Sequence, residues 1–191
     1  MKSVLISIQP KWCELIASGK KTVEVRKTKP KLETPFKCYI YETQGRTETP
    51  FVDEEGHHIF KGRGQVIGEF ICDDIDTVHI FNNLLYCVKN SQANKLGQMC
   101  LTIEEVKAYL GDKNGYNWHI SNLKIYDKPR ELSEFKRFCD GVGGNIGCRG
   151  CEYYYYENTE GGSYEECCCD NLIPITRPPQ SWCYVESEDK Q

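Results

Sequence analysis

A chain of 191 residues suits one domain, or one domain with a small appendage, and is long enough to bury a real core. It holds no run of 18 apolar residues, so no membrane-spanning helix is expected, and the opening MKSVLISIQP turns polar too abruptly for a secretory signal. The expected location is therefore the cytoplasm. A net charge of −4 argues weakly against a nucleic-acid binder, but residues 1–37 hold nine Lys/Arg against three Asp/Glu, while residues 139–191 hold three against ten. Such asymmetry fits a local anion-binding face on an acidic body, and equally fits uneven charge on a solvated surface.

The predicted elements begin with a short apolar strand, Val4–Ile8. Pro10 then opens a helix, where its missing N–H costs little. Trp12, Leu15 and Ile16 share one helix face, and Gly19 is a suitable residue just past the end. The next run, Thr22–Lys27, alternates: Val23 and Val25 point one way, Thr22, Glu24 and Arg26 the other. Lys37–Glu42 reads as a third strand. Residues 43–64 are polar and Gly-rich, a loop or loose hairpin. Gln65–Phe81 is a long strand region, with Gly68 marking a bulge or a close backbone approach. Residues 82–100 carry no clear period. Thr102 and Glu105 form a capping box for a helix over 102–110 that Gly111 ends. Asn117–Pro129 reads as a strand, Ser133–Arg137 as one or two helical turns, and Trp182–Val185 as a last strand. The class is α+β.

The chain holds twelve cysteines. Without a secretory signal a disulfide framework is not expected. Cys13, Cys38, Cys72, Cys87 and Cys100 sit among apolar residues and read as small core residues. Seven more fall between Cys139 and Cys183, in and beyond a segment rich in Gly, Cys and Tyr that cannot build an ordinary core. Cys148 and Cys151 have C-x-x-C spacing, and the triplet Cys167–Cys169 follows after about 15 residues, the usual gap between halves of a zinc site. Cys139, Cys148, Cys151 and Cys168 are the expected ligands of a structural zinc, whose four soft ligands would supply folding energy. Redox or unligated thiols are the alternative. His57 and His58 read as loop residues, His79 and His119 as structural. The expected organisation is a barrel over 1–138, a zinc loop over 139–173, and a closing strand with a tail over 174–191.

No nucleophile elbow, Walker loop, Rossmann fingerprint or zinc-protease motif is present. The chemistry concentrates instead in GKKTVEVRK, residues 19–27. Glu24 and Arg26 stand two residues apart on one strand face, with Lys21 where the strand begins. Such a set can orient an Arg fork toward a phosphate or a base edge. Alternation alone equally fits an edge strand with one solvated charged face.

Residues 7–26, SIQPKWCELIASGKKTVEVR, resemble the signature of the ASCH domain, a relative of the PUA fold: an S-I-x-P start, a helix, then G-x-K-x-x-E-x-R, filled here by Gly19, Lys21, Glu24 and Arg26. GQVIGEFICDDI resembles the family's next block. The middle, the cysteine loop and RPPQSWCYVE resemble a bacterial and prophage-borne subgroup. The resemblance implies a small PUA-like β-barrel with helices between its strands, and a cleft lined by Ser7, Lys21, Glu24 and Arg26, with Trp12 nearby. It implies recognition of RNA or a modified nucleotide, with Lys21 and Arg26 contacting anions. An amidohydrolase acting on acylated cytidine is the alternative. In such relatives a Thr occupies the position of Glu24, so catalysis here would need water activated by Glu24, with Lys21 stabilising the oxyanion. A third reading is a protein-interaction module in which Tyr153–Tyr156 and the zinc loop form a docking surface.

Overall fold

The computed structural model describes residues 2–44, 62–82, 84–87, 95–138 and 172–186. In chain order the strands are β1 (Lys2–Ile8), β2 (Val23–Arg26), β3 (Phe36–Glu42), β4 (Val66–Phe81), β5 (Leu84–Cys87), β6 (Gly115–Arg130), β7 (Lys136–Phe138), β8 (Leu172–Pro174) and β9 (Trp182–Glu186). The helices are α1 (Pro10–Ala17), α2 (Lys95–Met99) and α3 (Ile103–Leu110). Seven strands form one sheet in the order β2-β6-β4-β3-β1-β9, with β5 paired to β4; β7 and β8 form a separate pair. All the pairings are antiparallel except β1 with β3, whose parallel register (Val4 with Cys38, Ile8 with Glu42) requires the crossover that α1 and β2 supply.

The strand alternation read from the sequence sorts side chains onto two faces. Val4, Ile6 and Ile8 of β1, Phe36, Cys38 and Ile40 of β3, Phe70 and Cys72 of β4, and Trp118 of β6 make one core with Cys13 and Ile16 of α1. Leu5, Tyr39, Tyr41 and Val185 point the other way and pack with Leu132, Phe135 and Ile175. A third cluster joins Val23 and Val25 of β2 to Met99, Val106 and Leu110 of α2 and α3.

The expected closed barrel is an open, curled sheet. Among the described residues β2 and β9 are its edges. The curl brings β2 back toward β1, but β2 is four residues long and presents a side chain instead of a ladder: Arg26 Nη2 donates to the Ser7 carbonyl at 2.6 Å. Nor is β2 a half-solvated edge, since all four of its residues are buried.

Gly68 is the close approach it was read as. A Cβ there would stand 2.5 Å from the Lys124 carbonyl oxygen, and the β4–β6 register shifts beside it. The expected helical turns at 133–137 reduce to a single 3-10 turn, Leu132–Glu134, after which Lys136 enters β7. Trp182–Glu186 forms the predicted last strand, antiparallel to β1. Among the described residues no helix is long and apolar enough to cross a membrane.

Candidate functional site

Gly19 ends α1 with φ +73°, a backbone state that suits glycine. The chain then turns sharply: Lys21 N–H returns to the Leu15 carbonyl at 2.9 Å, and Thr22 N–H reaches the Gln98 carbonyl at 3.0 Å. This clamp against α2 drives Lys21 inward. Its ammonium donates to the Met99 carbonyl, lies 3.3 Å from Glu24 Oε2, and stands 5.1 Å above the Trp12 ring. Lys21 is 2% exposed, Glu24 6% and Arg26 7%.

Glu24 is the hinge of the arrangement. One carboxylate oxygen meets Lys21 and the other meets Arg26 Nη2 at 3.1 Å. Arg26 also points Nη1 at Ser181 Oγ, at 3.5 Å. Two cations therefore share one anion in a site closed to bulk water, which leaves a surplus positive charge where charge is poorly screened.

Of the expected residues, the structure brings Trp12, Lys21, Glu24 and Arg26 together and places Ser7 at their edge. Ser7 contributes its carbonyl to Arg26, while its hydroxyl donates to the Pro179 carbonyl at 2.7 Å and its N–H to the Ser181 carbonyl. Trp12 is half-buried on α1, with Lys11 over its ring at 4.5 Å.

Three contributors were not visible in the sequence. Tyr109 of α3 is 39% exposed, and its phenol feels the charge of Arg26. Burial pushes its phenol pKa up against the opposing pull of Arg26, and Glu24 adds to the rise. Trp118 lies directly across from Glu24 in the β2–β6 ladder. Ser181 arrives from the far end of the chain. Only the helix spacing of Tyr109, three residues after Val106, hinted at a position beside the α3 core face.

Outside the buried triad lies a rim of exposed lysines. Lys27 stands 5.0 Å from the Tyr109 ring and Lys29 stands 5.4 Å from the Tyr116 ring. Their segment is tied to β9, because Lys31 N–H donates to Tyr184 Oη at 2.7 Å and Trp182 Nε1 donates to Thr28 Oγ1 at 3.0 Å.

The histidines read as structural are placed accordingly. His79 stacks on Tyr86 at 5.2 Å, and His119 Nε2 meets Asp76 Oδ2 at 3.0 Å. Among the described residues no cluster of three or more His, Cys, Asp or Glu could hold a metal. Cys139, Cys148, Cys151 and Cys168 lie outside the described residues, as do His57, His58 and Tyr153–Tyr156.

The fold has solved counterparts. The crystal structure of ASCH from Zymomonas mobilis superposes with a TM-score of 0.51 at 18% identity, covering 97% of this chain and 89% of that one. Two point-mutant structures of the Zymomonas mobilis protein give TM-scores of 0.49 and 0.48, at 18% and 17% identity, covering 98% and 97% of this chain and 93% and 89% of theirs. No curated protein matches the chain. The ASCH domain matches residues 6–130, a span that starts in β1, contains the whole Lys21–Glu24–Arg26 triad and ends with β6. The chain belongs to the ASCH domain family, which is associated with RNA binding.

Proposed function

We propose that this chain binds single-stranded RNA or a modified nucleotide at the mouth of the Lys21–Glu24–Arg26 site. One observation carries the reading: a buried triad with surplus positive charge lies beneath exposed lysines that alternate with aromatic rings. Lysines track a phosphate backbone, and half-exposed rings stack unpaired bases. Trp12, Tyr109 and Tyr116 are the rings, and Lys11, Lys27 and Lys29 the adjacent cations. The acidic C-terminal segment would keep other faces off the polyanion. Lys21 and Arg26 add field from below; in the free chain the Lys21 ammonium and the two Arg26 Nη groups are engaged with Glu24, backbone carbonyls and Ser181.

The test is a titration with single-stranded RNA at two salt concentrations. Charge reversal at Lys27 and Lys29 should weaken binding and flatten the salt dependence, by roughly 0.7 in log–log slope for each phosphate that is no longer neutralised. These exposed positions separate binding from folding, which substitution of Lys21 or Arg26 would not. Salt-insensitive binding, or binding unchanged by the double variant, overturns the proposal.

A second reading, an amidohydrolase acting on acylated cytidine, is favoured by the 3.3 Å contact of Lys21 Nζ with Glu24. In this reading Lys21 would stabilise an oxyanion and Glu24 would activate water. Product analysis after incubation with acetylated cytidine tests it, and absence of free cytidine rejects it. We further propose a structural zinc on Cys139, Cys148, Cys151 and Cys168, and membership of the prophage-borne subgroup, both supported by the sequence pattern alone.

A further inference from the structure

Two buried donors are left over at the site. Arg26 Nε and Trp118 Nε1 are both shielded from solvent, and neither has a hydrogen-bond partner among the described residues. An orphaned buried donor is costly, and most such groups in folded proteins are satisfied by something.

Their residues are neighbours on the sheet. Trp118 pairs directly with Glu24 across the β2–β6 ladder, so the two side chains share one face. Arg26, two residues beyond Glu24, is the diagonal neighbour of Trp118 on that face. The surroundings are aromatic: Phe36 meets the Trp118 ring edge-on at 5.9 Å, and Trp182 lies 6.0 Å away. Glu24 uses one contact on each oxygen. A carboxylate has about four acceptor positions, so it can still take an N–H.

Two donors beside one acceptor, with the Phe36 and Trp182 rings packed against Trp118, complement a neutral planar group that offers a carbonyl next to an N–H. A phosphate fits this part of the site poorly, because Glu24 faces it at the same level. We propose that Trp118, Arg26 and Glu24 read the lactam edge, –NH–C(=O)–, of an unpaired nucleobase. Trp118 Nε1 and Arg26 Nε donate to the carbonyl oxygen, and Glu24 accepts the ring N–H. Uracil, guanine and hypoxanthine carry that edge; adenine does not. The inference rests on the RNA reading above and specifies which bases that site selects.

The test compares a single-stranded adenosine hexamer with the same hexamer carrying one central inosine, which converts the adenine edge to a lactam. The wild-type chain should bind the inosine hexamer roughly tenfold tighter, the worth of a buried hydrogen bond. Trp118→Phe, which keeps an aromatic ring and deletes one of the two carbonyl donors, should clearly narrow that preference. Should that variant not fold, the wild-type chain still answers. Its three tryptophans give three indole N–H signals, and Trp12→Phe and Trp182→Phe identify the Trp118 signal by elimination. That signal should move with the inosine hexamer and stay with the adenosine one. Equal affinity for the two hexamers, or a Trp118 signal indifferent to inosine, overturns the lactam proposal and leaves RNA binding standing; the two donors are then satisfied by water. Absence of binding to either hexamer and to longer single-stranded RNA overturns both.

Discussion

Glu24 holds two cations that would otherwise be buried without a counter-charge. Removing one partner of a buried ionic set is far more damaging than its net worth suggests, because the remaining charges stay desolvated. Glu24→Ala should therefore cost about 3–5 kcal/mol in urea denaturation, whereas Lys27→Ala, on the exposed rim, should stay within roughly 0.5 kcal/mol. The buried thiols set a second residue-scale expectation. Burial, reinforced by Asp73 and Asp74, pushes the Cys72 thiol from its ordinary 9.0 to about 12, and burial likewise raises Cys13 and Cys38. The folded chain retains these protons after the unfolded chain has given them up. Stability should thus be unaffected by the thiols below pH 9 and fall above it, by about 1.4 kcal/mol per pH unit for each thiol. Denaturation curves at pH 8 and pH 10.5, compared between wild type and Cys72→Ala, would show this as a shallower alkaline decline in the variant. At this scale much of the site was legible. Lys21, Glu24 and Arg26 are neighbours in the chain, and the period of a strand aligns the last two. Trp118, Tyr109 and Ser181 were not, because they reach the triad through tertiary pairing over long sequence separations.

Elements decide how firmly that triad is presented. α3 is anchored by its capping box, with Glu105 N–H donating to Thr102 Oγ1 at 3.1 Å and Thr102 N–H to Glu105 Oε2 at 2.8 Å. Thr102→Ala should cost about 1 kcal/mol in thermal or urea denaturation. Because α3 also carries Tyr109, the same change should raise the exposure of that phenol, read as a lower pKa in an ultraviolet titration. Gly68 in β4 is the stiffer constraint: with the Lys124 carbonyl 2.5 Å from any Cβ, Gly68→Ala should destabilise by roughly 1–3 kcal/mol. The capping box and this glycine were both readable because each leaves a local chemical mark. α2 left none. It spans five residues, includes Gly97, and is helical because Leu96 and Met99 join the core over Val23 and Val25. The same dominance of tertiary context makes Lys136–Phe138 a strand, through pairing with residues 172–174.

At the scale of the whole molecule, the sheet curls without closing, and its two edges are joined by Arg26 rather than by a ladder. Alternation foretold which side chains face inward, but nothing local says whether a curled sheet closes; that depends on strand lengths and bulges along β4 and β6. The cysteine-rich segment, residues 139–171, lies outside the described residues. If zinc holds Cys139, Cys148, Cys151 and Cys168, intact-mass measurement under native conditions should find one zinc per chain. Strong chelation should then lower the melting temperature, and Cys148→Ser should reproduce that destabilisation without chelator.

β1 lies between β3 and β9, so a strand made early is also a partner of one made much later. At typical elongation rates of about 5–20 residues per second, β1 waits on the order of ten seconds for β9 to leave the ribosome. Until then Ser7 lacks its Ser181 partner and Arg26 has nothing to reach beyond β1. A growing chain consequently carries an apolar strand with one open side until β9 is made. That places the period of greatest exposure to chaperones and to misassociation before the site exists.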